Sequence, residues 1–368
     1  TIDVPSGRLA VVARVEGGRP VSVRFRNVPS FVHSRGLCVG TVSAGEPFRI
    51  VSGGVGPIPG TTVLDKRAWA IENLDRVRRL LVYEPRGHAD MYGCFVTEPD
   101  DARGDLGVLF FHNAGFSTAC GHGTIALATW AIESGVVVPS EPETRMVIDV
   151  PSGRLPVVAR VEDGRPVSVR FRNVPSFVHS RGLSVPTRSA GEVVVDVAFG
   201  GAFYASVDAR ALGLAVEPGN LGRFVELGRE VKDHLNAAAE ISHPLEPRLR
   251  NVYGTIFFED AGGPAGEPRL AQRNVTVFAD GEVDRSPCGS GTSARLALLH
   301  ADARLATGEI LDHTSIVGTR FEGRVAGETE VAGLPAVVTE VEGSAHLTGH
   351  HQFVLERDDP LGPGFLLR

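Results

Sequence analysis

The chain has 368 residues, 42% of them hydrophobic and 22% charged, with a net charge of −7. That length fills two ordinary domains around a sizeable core, and the acidic balance argues against a nucleic-acid or anionic-membrane partner. Four cysteines without a CxxC pair offer neither a secreted disulfide framework nor a zinc site; two lysines, Lys66 and Lys232, leave little for Schiff-base chemistry; and no apolar run approaches the ~18 residues of a membrane span. With no basic and then apolar leader at Thr1, a cytoplasmic location is expected.

The chain begins with a repeat. Ile2–Leu37 matches Ile148–Leu183, and only Ala10/Pro156 and Gly17/Asp163 differ. An old functional repeat would have drifted, so this one reads as a recent duplication or an artefact. The later copy lies within continuous strand-type sequence and is taken as native; residues 1–38 are then an appended segment with no slot of its own.

Further along, Val108-Leu109-Phe110-Phe111 reads as a buried strand. It leads to Cys120-Gly-His-Gly-Thr124, which opens a helix apolar on nearly every face from Ile125 to Ile132. Such a helix is buried, and Gly135 suits its C-terminal cap. Val167, Val169 and Phe171 alternate with Ser168, Arg170 and Arg172, the period of a half-buried strand, after a turn at Gly164. Val193–Val197, Ala202–Ala205 and Asn274–Phe278 are further strands. Cys288-Gly-Ser-Gly-Thr292 then opens a second apolar helix, expected from about Thr292 to Leu299 and ended by Gly308.

Two of the four cysteines thus stand directly before a glycine-rich helix start. The first N–H groups of a helix lack intrahelical partners and carry the positive end of its dipole. They favour a thiolate, which predicts lowered thiol pKa values, and they hold a carboxylate. Two matched copies suit two thiols facing one substrate, one taking a proton and one giving it. Two buried structural cysteines are the plainer alternative.

At these residues the chain resembles the proline racemase family, which includes 4-hydroxyproline 2-epimerases and trans-3-hydroxyproline dehydratases. The matching stretches are Glu84-Pro-Arg-Gly-His-Ala-Asp-Met-Tyr-Gly93, Cys120-Gly-His-Gly123, Asp284-Arg-Ser-Pro-Cys-Gly-Ser-Gly291, Thr348-Gly-His-His-Gln-Phe353, Asp358-Asp-Pro-Leu361 and Gly364-Phe-Leu-Leu367. The resemblance runs from about residue 41 to the end. It implies a cofactor-independent racemase or epimerase that inverts Cα of proline or 4-hydroxyproline with Cys120 and Cys288 as the two bases. It also implies that His122 and Asp284 lie near the ring nitrogen, and that the N–H groups of Gly121, His122, Gly289 and Ser290 hold the carboxylate. Tyr92 and Phe278 are read as lining the pocket, with plain core aromatics as the alternative. Homodimerisation is a family expectation.

Two departures bear on this. The family's Asp-x-His-Thr-x-Gly-Glu-Pro stretch reads Gly40-Thr-Val-Ser-Ala-Gly-Glu-Pro47 here, which predicts a disturbed first strand. Phe199-Gly-Gly-Ala-Phe-Tyr204 resembles the dehydratase branch, but that branch carries Thr at the position of Cys288, so Cys288 favours inversion over dehydration. His122 and Asp284 have structural alternatives, a buried polar network and a helix cap. His88 reads as structural or at the pocket rim, Cys38 and Cys94 as non-catalytic, and the histidines 346, 350 and 351 as no metal site.

Competing classes are a nucleotide-binding protein using the glycine-rich helix starts, a thiol hydrolase, and a non-catalytic homologue. The dinucleotide fingerprint lacks its acidic partner at a strand end. The hydrolase requires His122 to reach Cys120, which a spacing of two residues disfavours. The expected fold is α+β, of the diaminopimelate epimerase-like kind: two pseudo-symmetric lobes, each a strand-rich barrel around a buried central helix. Residues 39–145 plus about 345–368 would form the first lobe and 146–344 the second.

Overall fold

The computed structural model describes residues 38–262, 269–356 and 358–367 in full, and within the first 37 residues the backbone of the strands Ile2–Val4, Gly7–Glu16 and Arg19–Arg26. It is a strand-rich α+β structure with five α-helices among the described residues: α1 (Val63–Asn73), α2 (Asp75–Val82), α3 (Gly121–Glu133), α4 (Leu221–Ala238) and α5 (Gly289–Ala301). None of the described helices is long and apolar enough to cross a membrane.

One order of elements occurs twice. In the first half, strand Glu46–Val51 leads through α1 and α2 to a parallel neighbour, Tyr92–Thr97, with Phe48 opposite Tyr92. Leu106–His112 then runs back antiparallel. After the short strand Gly115–Phe116 comes α3, and Glu143–Val150 returns parallel to Leu106–His112. In the second half, Phe203–Asp208 leads through α4 to its parallel neighbour Val252–Ala261. Leu270–Phe278 runs back antiparallel, the short strand Glu282–Asp284 precedes α5, and Ile310–Ser315 returns parallel to Leu270–Phe278.

Both cysteine-led helices are buried over nearly their whole length, α3 from Gly121 to Ile132 and α5 from Gly289 to Leu299. Burying a side chain such as Ile125 or Leu298 contributes about 1.5–3 kcal/mol, so each helix anchors the strands around it. Helix α3 packs against Cys38–Ser43, Arg165–Arg172 and Ala345–His351, and α5 against Ser176–Thr187, Arg320–Val331 and Leu334–Gly343. Gly135, with φ of +73°, follows the end of α3 as expected. Helix α5 stops at Ala301, seven residues before Gly308: Ala303, already at φ +53°, turns the chain away earlier.

The half-buried strand forms as Arg165–Arg172, paired with Gly153–Glu162 across a two-residue turn in which Asp163 and Gly164 both have positive φ. That is the turn whose twist suits a hairpin. The upstream copy forms the same hairpin in the same register: Val11 faces Phe25 as Val157 faces Phe171, and both slip at the equivalent step, Arg14/Val15 and Arg160/Val161. Its three strands pair only with one another among the described residues. Residues 27–37 of the repeat lie outside the described residues.

Cys38–Ser43 pairs in continuous register with Glu46–Val51 on one side and with Ala345–His351 on the other. The strand forms, but its pairing is irregular at the altered stretch: the register shifts between Leu347 and Gly349, opposite Thr41 and Gly40. A Cβ on Gly40 would lie 2.6 Å from His351 Nε2 and 2.7 Å from Thr348 Oγ1, so those side chains fill the space an aspartate would take.

Candidate active site

The N-termini of α3 and α5 meet. A Cβ on Gly289 would lie 2.6 Å from the Gly121 Cα, so only glycine allows this approach. Cys120 and Cys288 stand at the N-cap positions of the two helices, each 6% exposed.

On the Cys120 side, the thiol sulfur accepts the Gly123 N–H at 3.3 Å. It also lies 3.3 Å from His122 Nε2, and His122 Nδ1 is 3.6 Å from Asp284 Oδ2. His122 therefore does reach Cys120, contrary to the spacing argument. Cys120 is not helical: at φ −156° and ψ 104° it is extended, which turns its side chain back over the first turn.

Asp284 ends the strand Glu282–Asp284 and is fixed from several directions. Its Oδ1 accepts the Ser286 N–H at 2.8 Å and the Ser286 hydroxyl at 2.7 Å. The backbone on either side is tied to the first half of the chain: Val283 N–H donates to Asp90 Oδ1 at 3.3 Å, and Arg285 N–H to Glu46 Oε2 at 2.8 Å. Asp284 therefore does not cap α5 directly.

On the Cys288 side, the backbone has φ of +63°, in the left-handed region that disfavours a side chain. The Cys288 N–H donates to Ser286 Oγ at 3.1 Å, and the thiol donates to the Tyr204 hydroxyl at 3.7 Å. Tyr204 in turn shares a 2.7 Å hydrogen bond with Ser290. The two thiols thus have unlike neighbours, an imidazole and carboxylate for one and two hydroxyls for the other.

Above His122 stands an aromatic wall. Tyr92 meets the imidazole edge-on at a centroid distance of 5.1 Å, and its hydroxyl donates to Ser117 Oγ at 2.5 Å and bonds the Tyr253 hydroxyl at 2.8 Å. Phe278 sits one layer back, 5.7 Å from the Tyr92 ring. Beyond this wall lies a cavity of 490 Å³ whose lining includes Arg67, His112, Ser117, Lys232, Asn251 and Tyr253.

The electrostatics correct one expectation. Burial, and next the negative charge of Asp284, push the Cys120 thiol well above its ordinary value and Cys288 up to about 12. The helix starts are outweighed by desolvation. Burial also pushes the Asp284 carboxyl up, but His122 and the two Ser286 hydrogen bonds outweigh it and hold the group below the usual carboxylate range. Glu46, fully buried, is raised well above it by burial and by Asp284.

The remaining assignments sort clearly. Gly121, His122, Gly289, Ser290, Asp284 and Tyr92 converge on the two thiols, and Phe278 backs the wall. His88 is exposed and bonds the Ala89 carbonyl, away from this centre. Cys38 and Cys94 are buried in the sheet. The described residues contain no group of three His, Cys, Asp or Glu arranged for a metal. Tyr204, Tyr253, Ser117, Ser286 and Glu46 were not singled out from sequence for this site. Tyr204, Ser286 and Glu46 fell within motifs already quoted; no local signal marks Ser117 or Tyr253.

Comparison with known proteins identifies the family. The profile of the proline racemase family matches residues 38–366. The 3-hydroxyproline 2-epimerase of Burkholderia multivorans is 48% identical over 326 residues, 89% of this chain and 96% of that protein. The trans-3-hydroxy-L-proline dehydratase of Azospirillum brasilense is also 48% identical, with the same coverage. Among solved structures, a hydroxyproline epimerase from Agrobacterium vitis with bound trans-4-hydroxy-L-proline superposes with a TM-score of 0.83 at 37% identity, covering 90% of this chain and 95% of that one.

Proposed function

Because the chain belongs to the proline racemase family, we propose that it inverts Cα of proline or 4-hydroxyproline without a cofactor, using Cys120 and Cys288 as two opposed bases. The observation that carries this reading is the meeting of the two cysteine-led helix starts at Gly121 and Gly289, with His122 and Asp284 beside the Cys120 thiol. The substrate carboxylate is held by the N–H groups of Gly121, His122, Gly289 and Ser290. The cationic ring nitrogen lies against Asp284 and His122.

That placement offsets the part of the thiol pKa rise that Asp284 causes, which is second to burial. A cation beside Asp284 cancels much of the field that opposes a thiolate, so the reactive form arises chiefly when substrate is bound. Cys120 as thiolate removes the Cα proton, and the Cys288 thiol protonates the opposite face. The enzyme is left with Cys120 protonated and Cys288 as thiolate, ready for the other enantiomer. The helix-start N–H groups steady the negative charge that builds on the carboxylate during transfer. The repeated order of elements supports two pseudo-symmetric lobes closing on the substrate, the first including residues 39–145 with about 345–368 and the second the rest, with Glu143–Val150 and Arg165–Arg172 packing on the first. A homodimer accords with the family.

A second reading is dehydration of trans-3-hydroxy-L-proline, favoured by the 48% identity to the Azospirillum brasilense dehydratase. It needs one base at Cα and loss of the C3 hydroxyl. Proton NMR in D2O with L-proline, trans-4-hydroxy-L-proline and trans-3-hydroxy-L-proline tests both. Cα deuterium incorporation with inversion, lost in Cys288→Ser, supports the two-thiol enzyme. Water loss from the 3-hydroxy compound that survives in Cys288→Ser replaces it with the dehydratase.

A further inference from the structure

Cys288 holds a backbone conformation that a residue with a side chain adopts only when its surroundings impose it. The imposing groups lie behind it, away from the substrate. His313, on the strand Ile310–Ser315, is fully buried. Its Nε2 lies 2.6 Å from Asn274 Nδ2 and its Nδ1 lies 2.8 Å from Thr292 Oγ1. Both partners also donate to one carbonyl, that of Pro287: Asn274 Nδ2 at 3.1 Å and Thr292 Oγ1 at 3.3 Å.

The polarity of this network is determined. The Asn274 amide nitrogen can only donate, so His313 Nε2 accepts and carries no proton. Nδ1 therefore bears the proton and donates to Thr292 Oγ1. The Thr292 hydroxyl hydrogen is then free for the Pro287 carbonyl. Burial, then the Arg295 charge, drives the imidazole pKa down to about 3, so this neutral tautomer persists across the working range. The peptide entering Cys288 is thus gripped at its oxygen by two donors and at its nitrogen by Ser286 Oγ. The Cys288 carbonyl in turn takes the Thr292 N–H at 2.6 Å.

We propose that His313 is a positioning residue for Cys288: through Thr292 and Asn274 it locks the Pro287 carbonyl and thereby holds the Cys288 thiol at the angle needed for proton transfer. The proposal rests on the reading of Cys288 as one of the two bases. His313 touches neither substrate nor sulfur; it acts through the carbonyl it fixes.

The test compares His313→Leu, which removes both hydrogen bonds, with His313→Gln, whose amide can accept from Asn274 and donate to Thr292. Inversion is followed by polarimetry. Iodoacetamide labelling is followed by peptide mass spectrometry that reads Cys120 and Cys288 separately. We expect His313→Leu to lower kcat by about tenfold to a hundredfold, as small misplacements of a reacting group do, with KM nearly unchanged. Labelling of Cys288 should change severalfold while that of Cys120 does not, and His313→Gln should restore most of both. Thr292→Val, which keeps shape and removes the relay hydroxyl, should reproduce the pattern and serves if His313→Leu does not fold. The proposal is overturned if the relay variants keep full kcat, or if both cysteines change together in proportion to a fall in Tm. Full inversion by Cys288→Ser would instead overturn the underlying reading of the function, a separate outcome.

Discussion

Asp284 and Cys288 are joined through a single hydroxyl: Ser286 Oγ donates to the Asp284 carboxylate at 2.7 Å and accepts the Cys288 N–H at 3.1 Å. The group proposed to hold the ring nitrogen and the group proposed to move the proton are therefore set by one side chain. Ser286→Ala breaks both links. Each buried hydrogen bond lost costs about 1–3 kcal/mol, so kcat should fall by one to two orders of magnitude, and steady-state polarimetry checks it. An unchanged kcat would show that the backbone alone holds the pair.

Asp284 should act in two opposite directions. Beside burial, its charge is what raises both thiols. Asp284→Asn should therefore speed iodoacetamide labelling of Cys120 and Cys288 at pH 8, while inversion drops by at least about a hundredfold as the ring nitrogen loses its charged partner. Slower labelling in the variant would refute this account of the thiol pKa values.

Glu46 predicts a pH dependence of stability. Its folded pKa is raised by burial and by Asp284. A carboxyl of that kind is favoured in the folded state while protonated. Its contribution is complete below the unfolded value and lost as pH rises toward the raised folded value. Glu46→Gln keeps an acceptor for the Arg285 N–H and cannot ionise. Its Tm should match the wild type in acid and exceed it increasingly as pH rises above the ordinary glutamate range. Parallel Tm curves at all pH values would disprove it.

Gly289→Ala should separate the two helix starts, because the new methyl would lie 2.6 Å from the Gly121 Cα. Overpacking of this kind costs about 1–3 kcal/mol. Activity should fall much further than stability, since both thiols move relative to the substrate. Calorimetry with activity assays distinguishes this from a simple loss of fold.

Removal of residues 1–37 should leave kcat and Tm nearly unchanged. The family match begins at residue 38, and the strands of that segment pair only among themselves within the described residues. A large fall in Tm on truncation would show that the segment has become part of the core.

Local patterns made much of this legible. The two cysteine-glycine motifs, the largely apolar helices that follow them and the alternation at Val169 and Phe171 are short-range signals, and each marks an element in the structure. What escaped depends on distance in sequence. Tyr204 reaches Cys288 from 84 residues away, and Tyr253 reaches Tyr92 across 161. The sense of the thiol pKa shift was misread because the helix start is a local effect, whereas desolvation is set by the whole fold. The contact between His122 and Cys120 was discounted by treating both as helical neighbours; Cys120 lies outside the helix and follows different geometry.

The duplicated hairpin is a natural control within one molecule. Nearly the same residues stand once between Glu143–Val150 and Leu334–Gly343 and once, among the described residues, without Leu334–Gly343, yet they adopt one register and one bulge. Register here is a property of the strands themselves. Two hairpins of nearly one sequence therefore form in one chain, in two different surroundings. Selection between them falls to chain connectivity: only the later copy is tethered, through Glu143–Val150, next to the place it must fill.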